Sequence, residues 1–384
     1  MAVAPGTRAE QPPAAGRVPE LVDDDQPAVL APASEGAVLH VVESFGAGVA
    51  AAVAGIAESV PLFDHHLLYR PRSAVADLSL LPGRFASANT FEDKAFGARQ
   101  QLKELVAEME PDVVHAHSSW AGLLSRSVRL STPIVYSPHC YAYLRTDIGG
   151  VKRWVFRSVE RALAYRTDLL LANGRYEHTL ASKLGYGTSA WTTMVSPDLL
   201  RLSRPVAPPR EGEKIRIATL GRWCPQKSPS FFAEVIEAYR EIQDGYDIEW
   251  LWIGGPDFDL EPPADLPYPL TGWLSHTEVA NELAQVSIMI HCADWEAGIP
   301  ISVMEALSRS IPTLVRTLPF APELDVIGCD TPQEMAHRVH QTLRNRHTWR
   351  ESQILSRAIW GSLTGRIAHH PVDDVYRQLL PGAP

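Results

Sequence analysis

Lys214 to Leu220 (KIRIATL) runs directly into Gly221-Arg222-Trp223-Cys224-Pro225-Gln226-Lys227, and Ser230 to Gln243 follows with helical periodicity. An apolar run of strand length, a glycine turn and a helix-period stretch make one strand-loop-helix unit. The pattern continues with Ile248 to Ile253 (IEWLWI) closed by Gly254-Gly255, Ser287 to His291 (SIMIH), a helix from Ser302 to Ser308, and Thr313 to Arg316. Buried runs alternating with helices predict a parallel sheet with helices on both faces.

Working back toward the N-terminus, Pro205 to Gly212 (PVAPPREG) reads as a linker. The same architecture is expected before it. Val38 to Glu43 (VLHVVE), His65 to Tyr69, Asp112 to His117 (DVVHAH), Pro133 to Ser137 (PIVYS) and Leu169 to Ala172 read as strands, with an Ala-rich helix after Gly46-Ala-Gly48 and another over 92–109. Six such units by about residue 198 complete one doubly wound domain. The expected organisation is a disordered tail over 1–36, a first domain over 37–205, a second over 213–365, and a final helical stretch in 366–384 crossing back onto the first.

Composition narrows the function. The 384 residues hold 35 Lys and Arg against 45 Asp and Glu, a net charge of −10. Bulk nucleic-acid binding is therefore disfavoured. The charge is uneven: −4 over 1–36 (2 basic, 6 acidic), +3 over 37–212 (19 and 16) and −9 over 213–384 (14 and 23). The four cysteines, Cys140, Cys224, Cys292 and Cys329, are widely spaced and contain no CxxC, which fits reduced thiols. No stretch reaches the roughly 18 to 20 apolar residues of a membrane span, and the N-terminus lacks a secretory pattern, so a cytoplasmic protein is expected.

Ligands of open α/β sheets bind beyond the carboxyl ends of the strands, so the strand-end loops carry the candidate chemistry. Arg222 and Lys227 put two cations on a loop that enters a helix, an arrangement suited to a diphosphate. A surface turn with two solvated cations would read the same way. Gly298 to Ser302 lets backbone amides approach a ligand at a helix start, and Glu305 lies one turn inside, where its carboxylate could accept from a ribose diol or simply favour the helix dipole. His115 and His117 share one face of a strand that ends at His117. His117 there could hydrogen-bond a sugar hydroxyl, or be an ordinary core histidine. A metal site from His115, His117, His139 and Cys140 is disfavoured because no supporting shell is identifiable. One Gly-x-Gly at Gly46 to Gly48, with no acidic residue about 20 positions on, is too little for a dinucleotide fingerprint.

Together, Pro111 to Ser118 (PDVVHAHS), Tyr136-Ser137-Pro138-His139, Gly221 to Lys227, and Ala297 to Glu305 with the following Ile311-Pro312 resemble the motifs of the retaining, two-Rossmann-domain glycosyltransferases of family 4, the GT-B type. The matches run in order and spacing from about Val38 to Glu323. The resemblance implies two Rossmann-like domains facing across a cleft and a sugar nucleotide, UDP- or GDP-linked, as co-substrate. It further implies transfer to a small-molecule or glycan acceptor in polysaccharide or specialised-metabolite biosynthesis. No metal and no cofactor are expected, because Arg222 and Lys227 neutralise the diphosphate. Donor-side residues would be Gly46, Gly48, Arg222, Lys227, Trp273, Gly298, Ile299, Pro300, Ile301 and Glu305. His117 would face the donor sugar, with Ser118, His139 and Tyr141 as acceptor-side candidates.

There is one departure. Similar enzymes place a carboxylate eight residues before the second Glu, where this chain has Ala297, and Glu296 stands beside it. Either Glu296 takes over the grip on the sugar, and with His117, Arg222 and Lys227 makes up the catalytic set, or the contact is lost. The loss would suit a catalytically altered binding protein, and a sugar-nucleotide epimerase of the same fold is a second alternative. Lys152, Arg153, Arg157 and Arg161 recur at helical spacing; such a stripe suits a solvated face, an anionic membrane surface or a phosphorylated acceptor. Membrane contact is expected to be peripheral at most. Oligomers are possible.

Overall fold

A computed structural model describes residues 34–71, 81–91, 95–194, 205–209, 213–242, 245–257, 260–326, 328–367 and 371–382. The tail expected over 1–36 lies outside these except for its last three residues, as do positions 210–212 of the expected linker.

The first sheet holds β1 (Gly36–Phe45), β2 (Phe63–Pro71), β3 (Ser87–Thr90), β4 (Val113–His117), β5 (Ile134–Ser137), β6 (Leu169–Asn173) and β7 (Ser189–Thr192). Its order is β3-β2-β1-β4-β5-β6-β7, and every pairing is parallel. Val38 to Val42 are all buried, as a strand covered on both faces requires. Five of the seven strands coincide with the apolar runs read from the sequence. The other two, β3 (SANT) and β7 (SAWT), are the edge strands and carry no apolar run. The connecting helices are α1 (Ala47–Ser59), α2 (Ala95–Met109), α3 (Ser119–Ser127), α4 (Gly150–Leu163) and α5 (Arg175–Leu184).

The second sheet, β8 (Ile215–Leu220), β9 (Ile248–Ile253), β10 (Ile288–His291) and β11 (Thr313–Val315), has the order β11-β10-β8-β9 and is also parallel. Its helices are α6 (Pro229–Arg240), α7 (His276–Leu283), α8 (Ile301–Ser308), α9 (Pro332–Leu343) and α10 (Arg346–Ile367). The final helix, α11 (Pro371–Arg377), returns to the first sheet. Its Val372, Val375 and Tyr376 are buried with Val38, Phe63 and Val113.

One buried polar network fixes α4. Glu160 accepts from Arg126 Nη2 at 2.9 Å, from the Tyr136 hydroxyl at 2.9 Å and from the Tyr186 hydroxyl at 2.9 Å. The pair is fully satisfied, so the cost of burying two charges is offset by charge-assisted hydrogen bonds.

Candidate functional site

In each sheet the strand order reverses beside the first strand: β1 has β2 on one side and β4 on the other, and β8 has β9 and β10. Loops leave such a switch point in opposite directions and open a crevice. The two crevices face each other. Between them lies a cavity of about 270 Å³, walled by Gly46, Gly48, His139, Cys140 and Asn173 from the first half and by Gly221, Arg222, Lys227, Trp273, Glu296, Gly298 to Ser302 and Glu305 from the second.

The second-half wall carries the charge. Gly221 ends β8 with φ +149, and its amide is held by the Ile253 carbonyl. This turn sends Arg222 and Lys227 into the cleft. Arg222 Nη1 donates to Asp257 Oδ2 at 2.6 Å, and Lys227 Nζ to Glu296 Oε1 at 2.5 Å. Both cations are thus neutralised by acids of the same wall. Glu296 also stands 3.9 Å from His291 Nε2, a buried nitrogen without a hydrogen-bond partner among the described residues. Helix α8 starts after Pro300 at the cleft, with the Ser302 hydroxyl buried and without a partner among the described residues. One turn in, the Glu305 carboxyl has no hydrogen-bond partner among the described residues, and burial pushes it up to about 7. Trp273 is held by its indole N–H donating to the Pro256 carbonyl at 3.1 Å.

The first-half wall is made of strand-end backbone. His139 (φ 49) and Cys140 (φ 82) are consecutive non-glycine residues in the left-handed region, a strained turn of the kind that gathers at functional sites. Glu177 holds it: its buried carboxylate accepts from the Cys140 amide and the Asn173 amide, each at 2.7 Å. Desolvation pushes the Cys140 thiol up and the Glu177 carboxyl up to about 7. The halves touch where Glu323 accepts from the Arg175 and Tyr176 amides at the start of α5, at 3.0 and 3.1 Å. They also touch at Gly298, where a Cβ would stand 1.7 Å from the Asn173 carbonyl oxygen. Glycine is required there by the neighbouring backbone, in addition to any approach to a ligand.

Three expected residues lie elsewhere. Ser118 (φ 84) caps α3 through the Ala121 amide, and Tyr141 is buried in the core against Tyr143 with ring centroids 5.3 Å apart. His117 is buried, with Nε2 on His40 Nδ1 at 3.0 Å and Nδ1 on His139 Nε2 at 2.9 Å. His139, not His117, therefore reaches the cleft.

Behind it the chain of rings continues. His40 Nε2 meets His65 Nδ1 at 2.9 Å, and His65 Nε2 meets the Val60 carbonyl at 3.0 Å. Beside them His115 bonds the Tyr376 hydroxyl at 2.7 Å and Ser137 Oγ at 2.9 Å. His40, His115 and His117 bring ring nitrogens within 4.8 Å of one another, a spacing open to a metal ion. Two imidazole nitrogens on one zinc stand about 3.4 Å apart, from Zn–N bonds of about 2.0 to 2.1 Å. The contacts of 2.9 to 3.0 Å along the chain are those of direct N–H···N bonds, and both His115 nitrogens are already used.

Sequence reasoning missed His40, His65, Asn173 and Asp257. The histidine periodicity on β1, β2 and β4 was a usable signal for the first two. Nothing in the sequence pairs Asp257 with Arg222.

Two doubly wound sheets closing on a cleft with two paired cations define an α/β protein built to hold an anionic ligand between its halves. The chain belongs to the GT-B glycosyltransferases: residues 58–197 match a Glycosyl transferase 4-like domain and residues 214–345 match Glycosyl transferases group 1. It is 27% identical over 243 residues to the UDP-Gal:alpha-D-GlcNAc-diphosphoundecaprenol alpha-1,3-galactosyltransferase of Escherichia coli, covering 56% of this chain and 60% of that one. It is 23% identical over 343 residues to an uncharacterized 41.2 kDa protein in the cps region of Klebsiella pneumoniae, covering 82% and 92%. Anabaena Alr3699/HepE, solved in complex with UDP-glucose, shares the fold with a TM-score of 0.68 at 13% identity, covering 89% of this chain and 98% of that one.

Proposed function

We propose that this glycosyltransferase moves a hexose with retention of configuration from a UDP- or GDP-sugar to a lipid-linked glycan acceptor at a membrane surface. The observation that carries the donor reading is the wall of Arg222, Lys227, the start of α8 and the Glu305 carboxyl, unpartnered among the described residues, which together suit a diphosphate beside a ribose diol. Asp257 and Glu296 hold the cations until the diphosphate replaces them. In the transfer, the bond from the anomeric carbon to the leaving phosphate oxygen breaks and the acceptor oxygen bonds to that carbon on the same face. The acceptor proton passes to the released diphosphate. Arg222 and Lys227 stabilise the charge that develops there, in a role that would otherwise fall to a metal. Glu296, freed from Lys227, is then in place to accept from a sugar hydroxyl, and His139 faces the sugar from the other wall.

The acceptor reading rests on α4 and on what the Escherichia coli relative is named for. Val151 (78% exposed), Trp154 (69%) and Val155 recur three to four residues apart on α4, and Tyr165 (83%) follows beyond its end. At about 100° per residue these point away from Glu160, which is turned into the core. Lys152, Arg157 and Arg161 flank the stripe. An apolar stripe between cations fits the interface of an anionic bilayer. The helix begins ten residues after the His139–Cys140 turn. No helix among the described residues is long and apolar enough to cross a membrane.

The test is turnover of UDP- and GDP-hexoses on a sugar-diphosphopolyprenol in vesicles, with the anomeric configuration of the product read by NMR. An α-donor should give an α-product. A β-product would overturn retention, and failure of every nucleoside diphosphate to raise the melting temperature would overturn the donor site.

A further inference from the structure

The chain of four histidines has a direction that elementary hydrogen-bond counting fixes. The Val60 carbonyl can only accept, so His65 must donate to it from Nε2. A neutral imidazole has one donor and one acceptor, so His65 Nδ1 accepts from His40 Nε2–H. By the same count His40 Nδ1 accepts from His117 Nε2–H, and His117 Nδ1 accepts from His139 Nε2–H. The rule ends at His139, whose Nδ1 must carry the lone pair. That nitrogen has no hydrogen-bond partner among the described residues, and His139 lines the cleft. The flanking His115 is set independently: Ser137 Oγ donates to the Leu171 carbonyl and so accepts from His115 Nε2–H, which leaves His115 Nδ1 for the Tyr376 hydroxyl proton.

We propose that His65, His40 and His117 are positioning residues that lock the tautomer of His139, so that it meets the cleft as a lone-pair acceptor for a substrate hydroxyl. A free imidazole populates both tautomers and would offer the substrate an N–H part of the time. The file removes that ambiguity from a distance, through three rings that never touch substrate. Burial lowers the pKa of all four rings, His139 to about 4, which keeps the file neutral and its direction single. The strained His139–Cys140 turn, held by Glu177, is what brings the last ring from the buried file to the cleft. The hydroxyl assignment rests on the glycosyltransferase reading; the tautomer assignment does not.

The experiment is ring-nitrogen NMR of the full chain labelled with 15N-histidine, without ligand at neutral pH. His139 should be protonated on Nε2 and bare on Nδ1. His65→Leu removes the acceptor of His40 and should give a mixture of tautomers at His139, with kcat reduced about tenfold and nucleoside-diphosphate affinity unchanged, the scale of one hydrogen bond. His65→Gln is the rescue, since its amide can donate to Val60 and accept from His40, and should restore the wild-type ring signals. Protonation of His139 on Nδ1 in the wild type would overturn the lock, as would a His139 tautomer indifferent to His65→Leu, or stoichiometric zinc held by the rings. Should His65→Leu fail to fold, the wild-type and His65→Gln spectra still decide, since both must show the bare Nδ1. Correct tautomers with no turnover on any sugar nucleotide would fault the functional reading and leave the lock standing.

Discussion

Glu296→Gln should separate nucleotide binding from turnover in opposite directions. Lys227 Nζ and Glu296 Oε1 are 2.5 Å apart, with side chains 17% and 11% exposed. At an effective dielectric of about 20 the bare attraction at that distance is roughly 6 to 7 kcal/mol, and desolvation cancels most of it. A net coupling of about 1 to 2 kcal/mol remains for a pair this sheltered. A diphosphate that takes Lys227 must break this pair and approach the Glu296 charge, so both effects weaken binding in the wild type. The amide keeps the shape and removes both. Free UDP or GDP should bind about 5- to 30-fold tighter to the variant by calorimetry, at roughly 1.4 kcal/mol per tenfold. Turnover should fall by about 10- to 150-fold, because a charged acceptor on a sugar hydroxyl contributes about 1.5 to 3 kcal/mol. Weaker nucleotide binding by the variant would refute the reasoning: Glu296 would then be holding the loop in shape, and its pairing with Lys227 would not compete with the ligand.

Glu305→Gln should remove a pH dependence. Burial raises this carboxyl from 4.5 to about 7, so the folded state holds its proton more tightly than the unfolded chain. Stability is therefore lost as pH rises from about 4.5 through 7 and is level above. The amide avoids the loss, so the melting-temperature gap between variant and wild type should widen from pH 5 to pH 8, by up to about 3 kcal/mol of stability. A constant gap would contradict it. Gly298→Ala should leave each half folded but cut turnover at least about tenfold, since its Cβ would meet the Asn173 carbonyl at 1.7 Å; wild-type kinetics would show that the contact between the halves is dispensable. Trp154→Asp with Val151→Asp should abolish flotation with anionic vesicles and leave transfer to a water-soluble acceptor intact, whereas unchanged flotation would return α4 to a solvated face.

The strands were legible where burial on two faces forces a continuous apolar run, as in VLHVVE of β1 or IEWLWI of β9. SANT and SAWT were not, because an edge strand of four residues pairs on one side only and needs little apolar surface. The cations of the Gly221 loop were legible through their spacing from a strand end. Their partners were not: Asp257 lies 35 residues after Arg222 and meets it only because β9 lies beside β8. His117 shows the limit on the other wall. Period-two spacing put His115 and His117 on one face of β4, but whether that face looks into the cleft or the core depends on His40, which pairs in register with His115 across the sheet. With a ring on each side of it, His117 becomes a link in the file, and the cleft position passes to His139.

The loop from Cys292 to Pro300 is where the separate parts of the site meet. It leaves β10 at the switch point and reaches α8, and along it lie the carboxylate that holds Lys227, the glycine that admits the Asn173 carbonyl, and the start of the helix that carries Glu305. Glu296 and Gly298 are two residues apart in a bent stretch, so the carboxylate that holds Lys227 stands next to the point where the two halves touch. Glu323 reinforces that point from the same half by accepting the first amides of α5, the helix that leads directly out of Asn173. The pair that neutralises Lys227 and the backbone contact between the halves are thus carried on one short loop. Ala297 stands between Glu296 and Gly298 and is fully buried, so a carboxylate at its position would start from a site shut off from solvent.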